Sequence, residues 1–123
     1  MTSDILQQDL RDFILANIDS ITHLEALLLL RQKPKEYWDA AKAAQRLYTS
    51  EADAKRILER LQGDGFLEVA DGLFRYGCVT PEQELMIAHL AKEYSRNLIP
   101  ITNMIHSKRR RMFVESIEWR NEQ

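Results

Sequence analysis

The side chains best suited to catalysis or metal binding in this sequence are three histidines and one cysteine. His23, His89 and His106 lie far apart along the chain and lack the close spacing that is typical of metal ligands. Cys78 has no histidine beside it to activate its thiol, and the carboxylates show no spacing that predicts a general acid and base. The four glycines fit a helix end, a linker and a hairpin turn, not a phosphate-binding loop. These patterns predict no enzyme, no metal site and no bound cofactor.

Positively charged side chains could instead bind an anionic partner, and their densest run extends from Lys108 to Arg111. Four consecutive cations on a helix point in different directions around its axis, so they do not by themselves form one face. Three interpretations therefore stay open: a solvated surface, a patch that contacts phosphates, and a surface for an acidic protein partner.

The composition is that of one ordinary domain. The 123 residues include 17 Lys and Arg and 19 Asp and Glu, which gives a net charge of −2. The longest apolar run, Ala26 to Leu30, is far shorter than the roughly 20 residues of a membrane-spanning helix, and the polar N-terminus has no signal-peptide pattern. One cysteine excludes an internal disulfide. We expect a cytoplasmic protein in which Cys78 is a small buried side chain or, alternatively, a redox-sensing thiol.

Apolar residues recur at spacings of three and four over most of the chain, which predicts a mainly helical protein. The first three helices are predicted at Asp4 to Ile18, Ser20 to Lys33 and Lys35 to Tyr48. A fourth helix is predicted to begin at Ser50 as its N-cap and to end at Gly63 as its C-cap glycine.

Between Phe66 and Gly77 the apolar spacing changes to two, and Asp71-Gly72 is a strong signal for a tight hairpin turn. A fifth helix is predicted to follow, with Thr80 as its cap, Pro81 in its first turn and Leu85 on its apolar face. The segment from Asn97 to Pro100 interrupts or kinks the helical pattern, which then resumes. The predicted fold class is therefore mainly α with one β-hairpin.

The order of three helices and a hairpin with Asp-Gly at its tip resembles the winged helix-turn-helix superfamily over about residues 20–77. Within this stretch, WDAAKAAQRLYTSEADAKRILERLQGDGFL is similar to a helix, a short turn, a recognition helix and the start of a wing. The resemblance implies a winged helix-turn-helix domain at 20–79, flanked by an N-terminal helix at 1–19 and a helical extension at 80–123. These flanking helices are similar in placement to those that dimerise small bacterial transcription regulators such as the MarR-like proteins.

The resemblance also implies that the fourth helix, at about 50–62, enters the major groove of double-stranded DNA. When its apolar stripe is turned inward, Ala52, Arg56 and Glu59 point outward. The guanidinium fork of Arg56 is suited to two hydrogen bonds with a guanine edge. Arg56 is therefore the first candidate for a base contact.

The remaining candidate contacts are with the DNA backbone and the minor groove. Lys55 and Arg60 are expected to meet phosphates. Thr49 and Ser50 are able to donate to a phosphate at the N-terminus of the helix, where free backbone amides also favour an anion. Arg75 is the only cation on the wing, and it would reach the minor groove or the backbone.

The charge balance of this segment is unfavourable for DNA binding. From Glu36 to Tyr76 the sequence contains six cations and eight anions, a net charge of −2. Phosphate neutralisation supplies most non-specific affinity for DNA, and Glu51 and Asp53 lie at the helix end that would approach it. Their simplest explanation is that acidic residues in a first turn complement the helix dipole.

Two functions from different classes follow from the sequence. The first is a DNA-binding regulator of transcription, a homodimer formed through the terminal helices. If the protein is instead a monomer, these helices are expected to wrap its single core. The alternative is a winged-helix module that binds another protein and does not bind DNA. The charge of the face formed by the fourth helix and the wing distinguishes the two.

Overall fold

The computed structural model describes residues 2–77 and 79–108, with side chains from residue 8 onward. Its helices and strands are α1 (Thr2–Asn17), α2 (Ile21–Gln32), α3 (Ala40–Leu47), α4 (Glu51–Gly63), β1 (Leu67–Ala70), β2 (Leu73–Tyr76) and α5 (Pro81–Arg96). Residues 98–108 form a further helix, α6. The described chain is thus mainly α with one antiparallel hairpin, which confirms the predicted fold class. The hairpin follows α2, α3 and α4, in the order that the sequence predicts.

Contacts divide the described chain into two units. The unit that contains the hairpin, labelled the winged unit after that hairpin alone, runs from Thr22 to Ala88. The terminal-helix unit combines the residues up to Ile21 with those from His89 onward. The division falls within α5, so the first half of this helix belongs to the winged unit.

The core of the winged unit combines the large aromatic side chains of Trp38 and Phe66 with small and branched apolar ones. α3 packs against α4, and the buried side chains of Ala43 and Ala44 are small enough to let the two helices approach closely. On α4 the buried positions are Ala54, Leu58 and Leu61, which follow the helical spacing seen in the sequence.

α3 begins later than the sequence predicts. The backbone of Trp38 exchanges two hydrogen bonds with Phe74, at 2.7 and 2.8 Å, and so adds a one-residue bridge to β2. Asp39 then caps the helix, since its Oδ1 accepts from the backbone N–H of Lys42 at 2.8 Å. The helix predicted from Lys35 is therefore wrong over its first five residues, because Lys35 lies in a turn and the backbone contact between Trp38 and Phe74 is incompatible with a helix at Trp38.

The hairpin has the predicted two-residue turn. Leu67 pairs with Tyr76, and Ala70 pairs with Leu73. Asp71 and Gly72 have φ values of 54° and 77°, as a two-residue turn with the twist of a hairpin requires. Leu67 and Tyr76 are buried at the end of the hairpin away from this turn.

α4 ends at Gly63 as predicted, but Gly63 is not the glycine that caps it. Gly63 is the last helical residue and has no positive φ, whereas Gly65 has a φ of +90°. The N–H groups of Gly65 and Phe66 donate to the carbonyls of Gln62 and Leu61, which is the Schellman pattern at a helix C-terminus. Gly65, not Gly63, is the glycine that ends the helix.

Alanine substitutions at these two glycines are expected to have opposite effects. Gly65→Ala should lower the free energy of unfolding by about 1 kcal/mol, because a Cβ disfavours the left-handed region. Gly63→Ala should raise it by about 0.5 kcal/mol, because the helical backbone there accepts alanine. Apart from its chain neighbours and the adjacent helix backbone, no atom lies within 4 Å of the added Cβ. Urea denaturation of both variants tests the assignment, and the reverse order of stability would contradict it.

α5 begins as predicted, but its inward face differs. Thr80 and Gln83 form a reciprocal cap: Gln83 N–H donates to Thr80 Oγ1 at 3.1 Å and Thr80 N–H donates to Gln83 Oε1 at 2.9 Å. Leu85 does not belong to the apolar face, since it is 68% exposed, and Ile87 is fully buried instead. The predicted interruption is limited to Asn97, and helical structure resumes at residue 98.

The terminal-helix unit has an apolar core of its own. Leu10, Ile14 and Ile18 are buried, and so are Ile101 and Ile105 on α6. None of the described helices is, taken singly, long and apolar enough to cross a lipid bilayer.

Candidate nucleic-acid interface

The outward face of α4 is the candidate interface that the sequence indicates. Ser50 caps this helix, because its Oγ accepts from the backbone N–H of Asp53 at 3.0 Å. The predicted contact residues on the helix are all exposed: Ala52, Lys55, Arg56, Glu59 and Arg60. The exposed stripe is opposite the buried one, so it is available to a partner.

Both arginines of α4 form ion pairs with nearby carboxylates. Arg56 pairs with Asp53 one turn earlier, and Arg60 Nε lies 2.8 Å from Oδ2 of Asp64. The side chain of Arg56 is 77% exposed, and exposed pairs of this kind contribute at most about 1 kcal/mol. A guanine or a phosphate would therefore have to displace a weak internal partner at each arginine.

The wing holds its arginine more firmly. Arg75 pairs with Glu68, which lies directly opposite it on β1. Its guanidinium also lies 4.9 Å from the ring centroid of Tyr37, within the range of a cation–π contact. Arg75 is thus fixed between a carboxylate and an aromatic ring, four residues beyond Asp71 at the turn.

Two of the cations between Glu36 and Tyr76 stand out because they have no ion pair among the described residues. Of the six cations from Glu36 to Tyr76, four form ion pairs. Three are the arginines described above, Arg56, Arg60 and Arg75, and the fourth is Lys42, which pairs with Glu36. Arg46, in the last turn of α3, and Lys55 are exposed and have no ion pair among the described residues. Arg46 is absent from the contacts expected from the sequence, although its position just before the predicted turn was a usable signal.

The turn between α3 and α4 contains a second residue that sequence reasoning missed. Tyr48 has φ 55° and ψ 45°, in the left-handed region, and its side chain is 96% exposed. Its backbone N–H and that of Thr49 both donate to the carbonyl of Ala44. Thr49 is half-buried, whereas Ser50 is exposed and its hydroxyl proton is available to an acceptor.

The remaining chemically notable residues lie elsewhere. Lys108 Nζ donates to the carbonyl of Ile18 at 3.1 Å and to Oδ1 of Asp19 at 3.0 Å, so the first cation of the basic run stabilises the end of α1. The other three cations of that run, and Cys78, lie outside the described residues. His23 is buried and His106 is exposed. Within the described ranges no group of three His, Cys, Asp or Glu could hold a metal ion.

A cleft of about 470 Å³ lies in the terminal-helix unit. Its lining includes the buried side chains of Leu10, Ile14 and Ile101 together with the charged Arg11 and Glu93. Leu98 and Ile99, at the start of α6, are 51% and 71% exposed. Apolar surface of this kind is typical of sites that contact another molecule.

Sequence comparison adds no family to this description. No protein-family model matches the chain, and no curated protein matches it.

Proposed function

We propose that the winged unit binds double-stranded DNA through α4 and that the protein regulates transcription in a bacterial cytoplasm. The observation that carries this proposal is the exposed stripe of Ala52, Arg56 and Glu59 on a capped helix that directly follows a short turn from α3. An α-helix of this kind fits the major groove, where its first turns meet the base edges.

The ion pair on Arg56 is compatible with base reading. Exchanging Asp53 for a guanine edge gives up at most about 1 kcal/mol and gains a bidentate contact that discriminates by about 1–3 kcal/mol. The acidic partner also penalises binding where no guanine is present, so it favours sequence selectivity over general affinity. Lys55 and Arg46, which have no carboxylate to displace, are the natural phosphate contacts.

A homodimer would increase the otherwise small electrostatic affinity. The net charge of −2 between Glu36 and Tyr76 leaves one winged unit with little attraction to a polyanion. The exposed Leu98 and Ile99, and the cleft in the terminal-helix unit, support association with a second copy. Two copies would read two half-sites about 34 Å apart, as a palindromic operator presents them.

Titration with random duplex DNA tests the proposal. We expect binding at low salt that weakens steeply by about 200 mM, because released counterions drive it. Lys55→Ala should reduce the slope of log K against log salt by about 1. Arg56→Ala should lower the affinity for a selected operator about tenfold.

Lys92→Ala is the matched control, since Lys92 is also an exposed cation but belongs to the terminal-helix unit. It makes the same change in net charge and should leave the affinity close to that of the wild type. Sedimentation velocity of the free protein checks the dimer. Equal losses of DNA affinity in Lys55→Ala and Lys92→Ala would mean that binding depends on net charge and not on α4.

A protein-binding module is the second candidate function. It is favoured by the ion pairs of Arg56, Arg60 and Arg75, which leave the face of α4 and the wing close to neutral. Absence of duplex binding at low salt, with the circular dichroism spectrum of a folded helical protein, would favour this candidate over the first.

A further inference from the structure

Tyr48 occupies a backbone conformation that suits tyrosine poorly. Its φ of 55° and ψ of 45° lie in the left-handed region, where a Cβ crowds the following carbonyl oxygen. Glycine adopts this conformation freely, and asparagine and aspartate adopt it more readily than bulky residues. Asp71, the other described non-glycine residue with a positive φ, is of the favoured type.

Nothing in the fold compensates for the tyrosine. Its side chain is 96% exposed, so the ring contributes almost no apolar burial. The hydrogen bond at this position is made by the backbone N–H to Ala44, and glycine would make the same bond. The turn therefore needs a left-handed residue at position 48, but its stability does not need an aromatic side chain.

The location of Tyr48 indicates what the side chain contacts. It lies two residues after the unpaired Arg46 and two residues before Ser50, the N-cap of the helix assigned to the major groove. In helix-turn-helix docking the residues around the start of the reading helix pass close to the sugar-phosphate backbone. A phenol is able to donate a hydrogen bond to a phosphate oxygen while its ring covers the adjacent sugar.

We propose that Tyr48 is a DNA-backbone contact whose hydroxyl donates to a phosphate oxygen of the bound duplex. This inference rests on the proposed function. The strained turn residue is then retained for binding, at the expense of the stability that glycine would provide.

Two variants test the contact against random duplex DNA. Tyr48→Phe should weaken binding roughly ten- to hundredfold, because a hydrogen bond to a charged group is lost. The slope of log K against log salt should stay unchanged, because the hydroxyl neutralises no phosphate. Tyr48→Gly should weaken binding at least as much and raise the thermal midpoint by about 2–4 °C.

The possible failures are distinguishable. Wild-type affinity in Tyr48→Phe, together with a clear loss in Lys55→Ala, would overturn the role of Tyr48 and leave DNA binding by α4 in place. A lower thermal midpoint in Tyr48→Gly would overturn the claim that tyrosine is retained at the expense of stability. Absence of wild-type binding at low salt would overturn both the contact and the proposed function.

Discussion

Replacing Trp38 by alanine is expected to lower the free energy of unfolding by about 3–5 kcal/mol, a large part of the 5–15 kcal/mol of a typical domain. The indole is fully buried, and its removal leaves a cavity that the surrounding helices and hairpin cannot close. Lys42 Nζ also lies 4.3 Å from the indole ring centroid, so a cation–π contact is lost as well. Urea denaturation followed by circular dichroism measures the change.

The neighbouring aromatic residue provides the matched control. Tyr37 is 39% exposed, and its ring packs on the guanidinium of Arg75. Tyr37→Ala should therefore lower the free energy of unfolding by only about 0.5–1 kcal/mol. Similar losses at positions 37 and 38 would contradict the placement of Trp38 as the buried member of the pair.

Trp38 also shows where sequence reasoning about the fold ends. Local signals predicted the hairpin, the Ser50 cap and α2 within about one residue of their observed positions, because apolar spacing and turn chemistry act over a few residues. The extended backbone at Trp38 depends on Phe74, 36 positions later in the sequence, and no local pattern reports such a contact. The same limitation applies at Gly63, where the dihedral angles of the chain decide which of two nearby glycines ends α4.

The candidate interface was predictable in part. The exposure of Arg56 and Lys55 follows from the apolar stripe on the other side of α4. The sequence showed the excess of anions but not their partners, because the pairing of Arg75 with Glu68 depends on strand register. The conformation of Tyr48 was not predictable either, because its spacing is equally consistent with the last turn of α3.

These pairings change how the net charge should be interpreted. A net charge of −2 suggests a surface that repels DNA uniformly. The structure instead divides the six cations of residues 36–76 into four that form internal ion pairs and two, Arg46 and Lys55, that do not. For the proposed DNA-binding function, the contribution of this segment to non-specific affinity should therefore depend mainly on these two residues, while Arg56 contributes where a guanine replaces Asp53.

A hydrogen-bonded network joins three elements of the winged unit on the side of α5. Glu84, in the first turn of α5, accepts from the hydroxyl of Tyr76 on β2 and from Arg31 Nε on α2, the latter at 3.1 Å. Tyr76 is 9% exposed, so its hydroxyl has little access to water as an alternative partner. Burial raises the pKa of this hydroxyl well above its usual value near 10, and the hydrogen bond to Glu84 raises it further.

Tyr76→Phe is expected to lower the free energy of unfolding by about 1–3 kcal/mol at neutral pH, because Glu84 loses a hydrogen bond that its carboxylate accepts. Glu84→Gln keeps an acceptor of similar size, so the free energy of unfolding lost at this hydrogen bond should be smaller. This substitution also removes the ion pair with Arg31. Urea denaturation at pH 7 compares the three proteins. An unchanged Tyr76→Phe stability would contradict the network.

The raised pKa of Tyr76 also predicts a loss of stability in alkali. Below pH 10 the hydroxyl is protonated in both states, so its contribution is fully present. Above pH 10 the unfolded chain releases this proton while the folded protein retains it, and the free energy of unfolding falls. The loss from this residue should reach about 1.4 kcal/mol at pH 11. Tyr76→Phe should not show this loss, so the difference in free energy of unfolding between wild type and variant should narrow from pH 8 to pH 11. A constant difference would mean that Tyr76 ionises normally in the folded protein.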